Sequence, residues 1–205
     1  MKKIVWLFLV ALALPLTAFA NSVDFRNSGG TLTGTSAGLT LTGSILTAVN
    51  GFDGLGLIQG PNLGGVFFTT GALTSGSLQL GGVFAGGGAY QITTNGSNGL
   101  PNTMIFNGSF SGPVSWVVSD LANGTHLYTL SGEVVGTWFT GTTANAATVQ
   151  LTINTGKGFF NGTTTIAGGD TNIALPTPEP ASLTLFGAGL IGLAGLARRK
   201  LKLWM

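Results

Sequence analysis

Short stretches of alternating apolar and polar residues recur along the middle of this chain and predict β-strands. Successive side chains of a strand point to opposite faces, so each stretch would bury one face and leave the other in water. No stretch keeps an apolar period of 3.6 residues, so helices are not predicted there. The apolar positions of the clearest stretches are Leu39, Leu41 and Ile45; Leu78, Leu80 and Phe84; Val114, Trp116 and Val118; Tyr128, Leu130, Val134 and Trp138; and Val149, Leu151 and Ile153.

Asn-Gly pairs separate these stretches and predict tight hairpin turns, because both residues accept positive φ angles at low steric cost. They stand at residues 50–51, 95–96, 98–99, 107–108, 123–124 and 161–162. Many short strands with such turns favour an all-β, antiparallel sandwich or barrel-like domain. A β-solenoid is the alternative, because Thr31-Leu32-Thr33-Gly34 recurs nine residues later as Thr40-Leu41-Thr42-Gly43, although the spacing is not sustained.

Composition supports one β-rich domain over residues 21–176. This segment contains 31 glycines and 25 threonines, which suit strands and turns better than helices. So much glycine also raises disorder as an alternative, but Trp116, Tyr128, Trp138 and Phe139 supply apolar material for a core.

The first twenty residues have the pattern of a secretory signal peptide. Lys2 and Lys3 precede an apolar run over residues 4–14, and Ala18 and Ala20 flank a small-x-small cleavage site. We therefore expect export through the secretory translocon and a signal-peptidase cut after Ala20. The chain has no cysteine, which excludes a disulfide framework and a thiolate nucleophile.

The charge of the predicted domain argues against nucleic acid as a partner. Residues 21–176 carry five acidic side chains and only Arg26 and Lys157 as bases, a net charge of −3. Nucleic-acid affinity requires several phosphate contacts from basic side chains, and this segment cannot supply them.

Few residues in the segment could support catalysis, and we predict no catalytic residue, metal or cofactor. His126 is the only histidine, which argues against a histidine metal site and against most triads. An enzyme would require His126 and Asp120 beside a serine, or a carboxylate pair in a cleft. The acids available for such a pair are Asp24, Asp53, Asp120, Glu133 and Asp170.

Sugar binding is the main functional alternative. Tyr128 and Trp138, with Trp116 and Phe139, could stack on sugar rings beside the many hydroxyls and amides. Aromatic residues in alternating strands more often form a core, an interpretation that suits Trp116 best and Trp138 less well.

The C-terminal tail has three parts. Residues 177–182 contain Pro178, Glu179 and Pro180 and form an extended linker, because proline fixes its own φ and biases the preceding residue away from helix. Residues 183–197 have no charge and predict a short membrane helix of about 22 Å. Residues 198–205 carry Arg198, Arg199 and Lys200, which predict a cytoplasmic end under the positive-inside rule.

This Pro-Glu-Pro, short apolar helix and basic cluster together resemble the PEP-CTERM sorting signal, which exosortases recognise in Gram-negative bacteria. The resemblance implies export, transient anchoring in the inner membrane, and cleavage near Glu179 by the exosortase. The domain would then reach the cell surface or an exopolysaccharide matrix. We therefore expect a non-catalytic, exported structural protein of the surface or matrix, with a carbohydrate-binding module of the exopolysaccharide as the alternative.

Overall fold

A computed structural model describes residues 21–175 of the chain, except for the side chains of residues 21 and 145–147. The signal peptide, the sorting tail and the helix predicted at residues 183–197 lie outside these residues. The described part is β-structure with two single-turn 3-10 helices, Phe52–Gly54 and Ser97–Gly99. The strands are β1 (Asn21–Ser28), β2 (Thr31–Thr35), β3 (Gly38–Asn50), β4 (Ile58–Gln59), β5 (Gly64–Thr69), β6 (Leu73–Ser77), β7 (Gly81–Phe84), β8 (Gly87–Asn95), β9 (Asn102–Phe110), β10 (Val114–Asp120), β11 (His126–Trp138), β12 (Thr143–Asn154), β13 (Thr163–Thr165) and β14 (Gly168–Leu175).

Eight of these strands close into an antiparallel barrel, which confirms the all-β, barrel-like prediction. Their order around the wall is β12-β14-β1-β3-β5-β8-β9-β11, and pairing of β11 with β12 completes the circle. Strands β10, β7 and β6 extend from β11 as an attached ribbon, while β2, β13 and β4 add to the β3 side. Closure pairs every barrel strand on both sides, so the barrel itself has no free edge.

Alternating side chains fill the barrel, as the pattern of apolar positions predicts. Val149, Leu151 and Ile153 of β12 are buried. So are Leu39 and Leu41 of β3, and the predicted inward set of β11, which is Tyr128, Leu130, Val134 and Trp138. The interior is therefore a packed core, as expected for an eight-stranded barrel.

Two predicted core positions are exposed instead. Ile45 is 39% exposed because the β3 register shifts between Leu41 and Ser44, at a glycine (Gly43) with φ of 67°. The shift turns Ser44 and Leu46 inward, and buried Ser44 accepts a hydrogen bond from Asn27 at 2.7 Å. Leu80 is 72% exposed because it lies in the turn between β6 and β7.

The repeat that suggested a solenoid has another explanation. The two Thr-Leu-Thr-Gly segments belong to β2 and β3 and pair with each other as an antiparallel hairpin, with Leu32 opposite Leu41. Both leucines are buried, so the repeat reflects two strands that present the same face to one core.

Candidate functional site

Both boundaries of the described domain meet at one end of the barrel. β14 lies between β12 and β1, and the β1–β14 register pairs Asn21 with Leu175. We call this end, which also contains residues 51–57 and 139–142, the exit end. The predicted processing residues Ala18, Ala20, Pro178, Glu179 and Pro180, and the basic residues Arg198, Arg199 and Lys200, lie outside the described residues. Glu179 nevertheless follows the last barrel residue by only four positions.

Four exposed apolar side chains from three segments of the chain lie at the exit end. Phe139, in the turn from β11 to β12, is 43% exposed, and its ring stacks on that of Phe52 at a centroid distance of 5.6 Å. The Phe139 amide donates to the Ile105 carbonyl at 2.9 Å, and the preceding residue, Met104, is 40% exposed. Leu55 and Leu57 follow Phe52 at the same end, and we call these four exposed apolar side chains, Leu55, Leu57, Met104 and Phe139, the exit surface.

Local backbone geometry produces this surface. Gly51 has φ of 81°, and an added Cβ there would meet the carbonyl oxygen of Ser22, so only glycine fits. The turn it permits inserts Phe52 into the core and carries the following leucines, 42% and 61% exposed, out to solvent. Alternation did not predict this surface. The one sequence feature pointing to it is Gly54-Leu55-Gly56-Leu57, an apolar alternation with glycine rather than with polar residues.

Tyr128 and Trp138, the two residues considered for sugar stacking, lie in the core of the barrel. Tyr128 is fully buried and Trp138 is 5% exposed. The Tyr128 ring stacks on Trp116 at 5.0 Å, and its hydroxyl donates to the Gln79 carbonyl and accepts from the Phe160 amide. Trp138 packs against Phe25, Phe52 and Phe139. Neither ring has a face open to a sugar, because both complete the hydrophobic core.

Asp120 and His126 form a pair at the opposite end of the barrel, which we call the far end. They are register partners of β10 and β11, and His126 Nδ1 lies 2.7 Å from Asp120 Oδ1. The Phe159 ring stacks on the imidazole at a centroid distance of 4.1 Å and covers one of its faces. Among the hydrogen bonds of the described residues, none joins a serine to this imidazole. The pair therefore has an acid and a base without the nucleophile that a triad requires.

A shallow groove of about 480 Å³ crosses the outer wall over β10, β11 and β12. Ser115, Ser131, Glu133 and Thr148 line it, beside Gly112 and Pro113. Exposed Glu133 is the only carboxylate among its lining residues. The groove thus offers hydroxyl groups and one charge, without an aromatic ring.

A cluster of two carboxylates and one arginine lies on the outer wall across β1 and β14. Arg26 is the register partner of Asp170, and Arg26 Nε lies 3.7 Å from the Asp170 carboxylate and 3.9 Å from that of Asp24. Desolvation raises the pKa of Asp170 to about 6, reinforced by a hydrogen bond from protonated Asp170 to the Asp24 carboxylate and by the negative charge of Asp24, while the charge of Arg26 opposes the shift. The described residues contain no group of three or more histidine, aspartate or glutamate side chains able to hold a metal ion.

Residues 176–200 match the family model of the PEP-CTERM protein-sorting motif. The chain therefore carries, directly after the barrel, the sorting motif of an exosortase substrate, and this motif implies export and membrane-associated sorting. Comparisons with curated proteins and with solved structures gave no match. Within residues 21–175, which the structure describes, no helix is both long and apolar enough to cross a bilayer.

Proposed function

We propose that this protein is a non-catalytic structural component of the cell surface or extracellular matrix of a Gram-negative bacterium, delivered there by an exosortase. The observation that carries the proposal is the sorting motif at residues 176–200 immediately after the last strand of the barrel. In this scheme the tail anchors the exported chain in the inner membrane with the barrel outside. Cleavage near Glu179 then releases the barrel.

The position of the motif supports release of an intact domain. The last paired barrel residue is Leu175, and the proposed cleavage position is four residues further along the chain. Pro176, Pro178 and Pro180 predict an extended segment from the sequence, because proline has a fixed φ and lacks the amide proton needed for a regular helix. A protease could therefore engage Glu179 without unfolding β14.

The packing of the barrel supports a structural role. Its largest aromatic side chains are used in the core, and Tyr128 and Trp138 leave no ring face for a ligand. The Asp120–His126 pair lacks a hydrogen-bonded serine among the described residues.

The test of sorting is Glu179→Ala in a host that contains the exosortase, followed by cell fractionation and mass spectrometry of the C-terminus. We expect the wild type to lose its tail and the variant to stay in the membrane fraction at full length. Glu133→Ala, which removes an exposed carboxylate from the barrel wall, is the matched control and should be processed normally. Normal processing of the Glu179 variant would contradict the sorting scheme.

The test of the structural role is affinity electrophoresis of the processed protein in the host's exopolysaccharide. We expect no saturable retardation, because the candidate stacking rings are buried. Saturable retardation that is lost in Phe159→Ala, the variant of an aromatic residue with 47% exposure, would instead assign the barrel to carbohydrate binding.

A further inference from the structure

We propose that the exit surface seats against the lipid bilayer while the tail is anchored, so that the barrel stands with its exit end toward the membrane. The proposal deepens the proposed function and rests on the anchoring step in it. The partner is a lipid surface, and the contact is made by Leu55, Leu57, Met104 and Phe139.

The exit surface has the chemistry of a shallow membrane contact. Its four apolar side chains are between 40% and 61% exposed, and the Phe139 ring stacks on that of Phe52. Aromatic and leucine side chains enter the boundary between headgroups and acyl chains when a protein lies on a bilayer. Transfer of such side chains from water into the bilayer lowers the free energy. On a barrel in solution the same side chains stay exposed to water.

In the anchored state that the proposed function assumes, the chain leaves the barrel toward the bilayer from this end. Eight residue steps separate Leu175 from Leu183, the first residue of the apolar tail segment, and they reach at most about 30 Å when fully extended. In that state the linker would keep the exit end within about 30 Å of the bilayer and would set no such limit on the far end. The geometry therefore supplies a high local concentration of lipid to the exit surface alone.

The far end also exposes apolar side chains, among them Leu80 at 72% and Phe159 at 47%, so exposure alone does not distinguish the two ends. One ring face of Phe159 is covered by His126, and Leu80 lies in the turn between β6 and β7. That end also carries Asp120 and Lys157, and the tail does not leave from it. Leu80 and Phe159 are therefore matched comparison positions for Leu57 and Phe139.

Docking should depend on apolar contact and not on charge. Within residues 50–60, 100–106 and 138–143, which carry this surface, Asp53 is the only charged residue. Because these segments have no basic side chain, the contact should rest on apolar burial and persist at high salt and on zwitterionic vesicles.

The experiment uses the full chain, reconstituted through its tail into phosphatidylcholine vesicles. Because the chain has no cysteine, Leu57→Cys and Leu80→Cys each accept a single environment-sensitive fluorophore. We expect the label at 57 to shift to the blue and to be quenched by nitroxide-bearing lipids, since it would lie about 5–10 Å inside the headgroup region. The label at 80 should remain in water, and salt should change neither result. Labels at positions 139 and 159 repeat the comparison with the aromatic pair.

The possible results separate docking from anchoring. Equal emission and equal quenching at positions 57 and 80, in a chain that floats with the vesicles, would overturn docking and leave the anchor intact. A chain that does not float would overturn the anchor and docking with it. A blue shift at 57 that appears without lipid and grows with protein concentration would assign the surface to a second copy of the chain and would also overturn the proposal.

Discussion

Gly108 shows how single residues set the spacing of the barrel wall. It was predicted as part of an Asn-Gly turn, but it lies inside β9, where Asn107 pairs with Thr137 and Gly108 pairs with Gly136 of β11. A Cβ on Gly108 would meet the Val135 carbonyl oxygen and lie 2.9 Å from the Gly136 Cα. These obstacles are backbone atoms, which cannot rotate away. The glycine is required here because two strands approach closely and not because the chain turns.

We expect Gly108→Ala to destabilise the domain by about 1–3 kcal/mol, the usual cost of overpacking a closely packed site. Urea unfolding of residues 21–176, followed by fluorescence, measures the difference. Gly112→Ala is the matched control, since an added Cβ there meets nothing within 4 Å and the residue does not have a positive φ. The control should stay within about 0.5 kcal/mol of the wild type. Equal stability of the two variants would show that the β9–β11 contact does not depend on the missing side chain.

Between elements, the β1–β14 pair carries a titrating group on its outer face. The pKa of Asp170 is raised from 3.8 to about 6 by desolvation, by the hydrogen bond that its protonated form donates to the Asp24 carboxylate, and by the negative charge of Asp24. The folded state therefore favours protonated Asp170. The stability gained from this proton is fully present below pH 3.8 and is lost as the pH rises through about 6.

We expect Asp170→Asn to remove this pH dependence. The wild type should lose free energy of unfolding relative to the variant between about pH 4 and pH 6, and the variant should be the more stable of the two at pH 7. Urea unfolding at a series of pH values measures the difference. Asp24→Asn is the companion variant: it removes the neighbouring negative charge and should lower the Asp170 pKa, as followed by NMR of the carboxyl carbon. Parallel curves of unfolding free energy against pH for the wild type and Asp170→Asn would exclude the raised pKa of Asp170.

Also at the scale of elements, the alternation of apolar and polar residues predicts where strands lie. It predicts less well which residues of a strand face the core. Alternation identified the inward faces of β11 and β12, because one face of each is buried along most of its length. It failed at Ile45, where the register shift around Gly43 reverses the faces within a single strand. Such a shift leaves the composition of the strand unchanged. It is therefore visible only in the pairing of β3 with its neighbour β5. The exit surface was missed for a related reason, since its leucines lie in a turn that β-periodicity does not describe.

For the whole molecule, the sequence predicted a sandwich or a barrel without deciding between them. Both architectures use antiparallel strands with one buried face, so their local patterns are the same. The choice is made by pairing between distant parts of the chain: β11 with β12, β12 with β14, and β14 with β1. The last of these joins the first and last strands. The tail motif, in contrast, is a local signal and was recognised from its three parts alone, in agreement with the family match at residues 176–200.

Because β14 closes the barrel, both processing events must fall outside the strands they border. The signal-peptidase cut predicted after Ala20 precedes Asn21, the first residue of β1, and the cleavage expected near Glu179 follows Leu175, the last residue of β14. We expect a chain of residues 21–178 to unfold cooperatively in urea. A chain ending at residue 167 lacks β14, which leaves β1 and β12 with unpaired edges and opens the core that Thr171 and Ile173 help to seal.

The shorter chain should therefore show a broad transition and rapid proteolysis. Residues 21–176 serve as the control, because they end after Leu175 but before Pro178, and they should match 21–178. A cooperative transition in the chain ending at 167 would show that the barrel closes without its last strand. Loss of cooperativity would mean that closure of the barrel requires β14, so that the chain must be exported as far as Leu175 before the domain can fold.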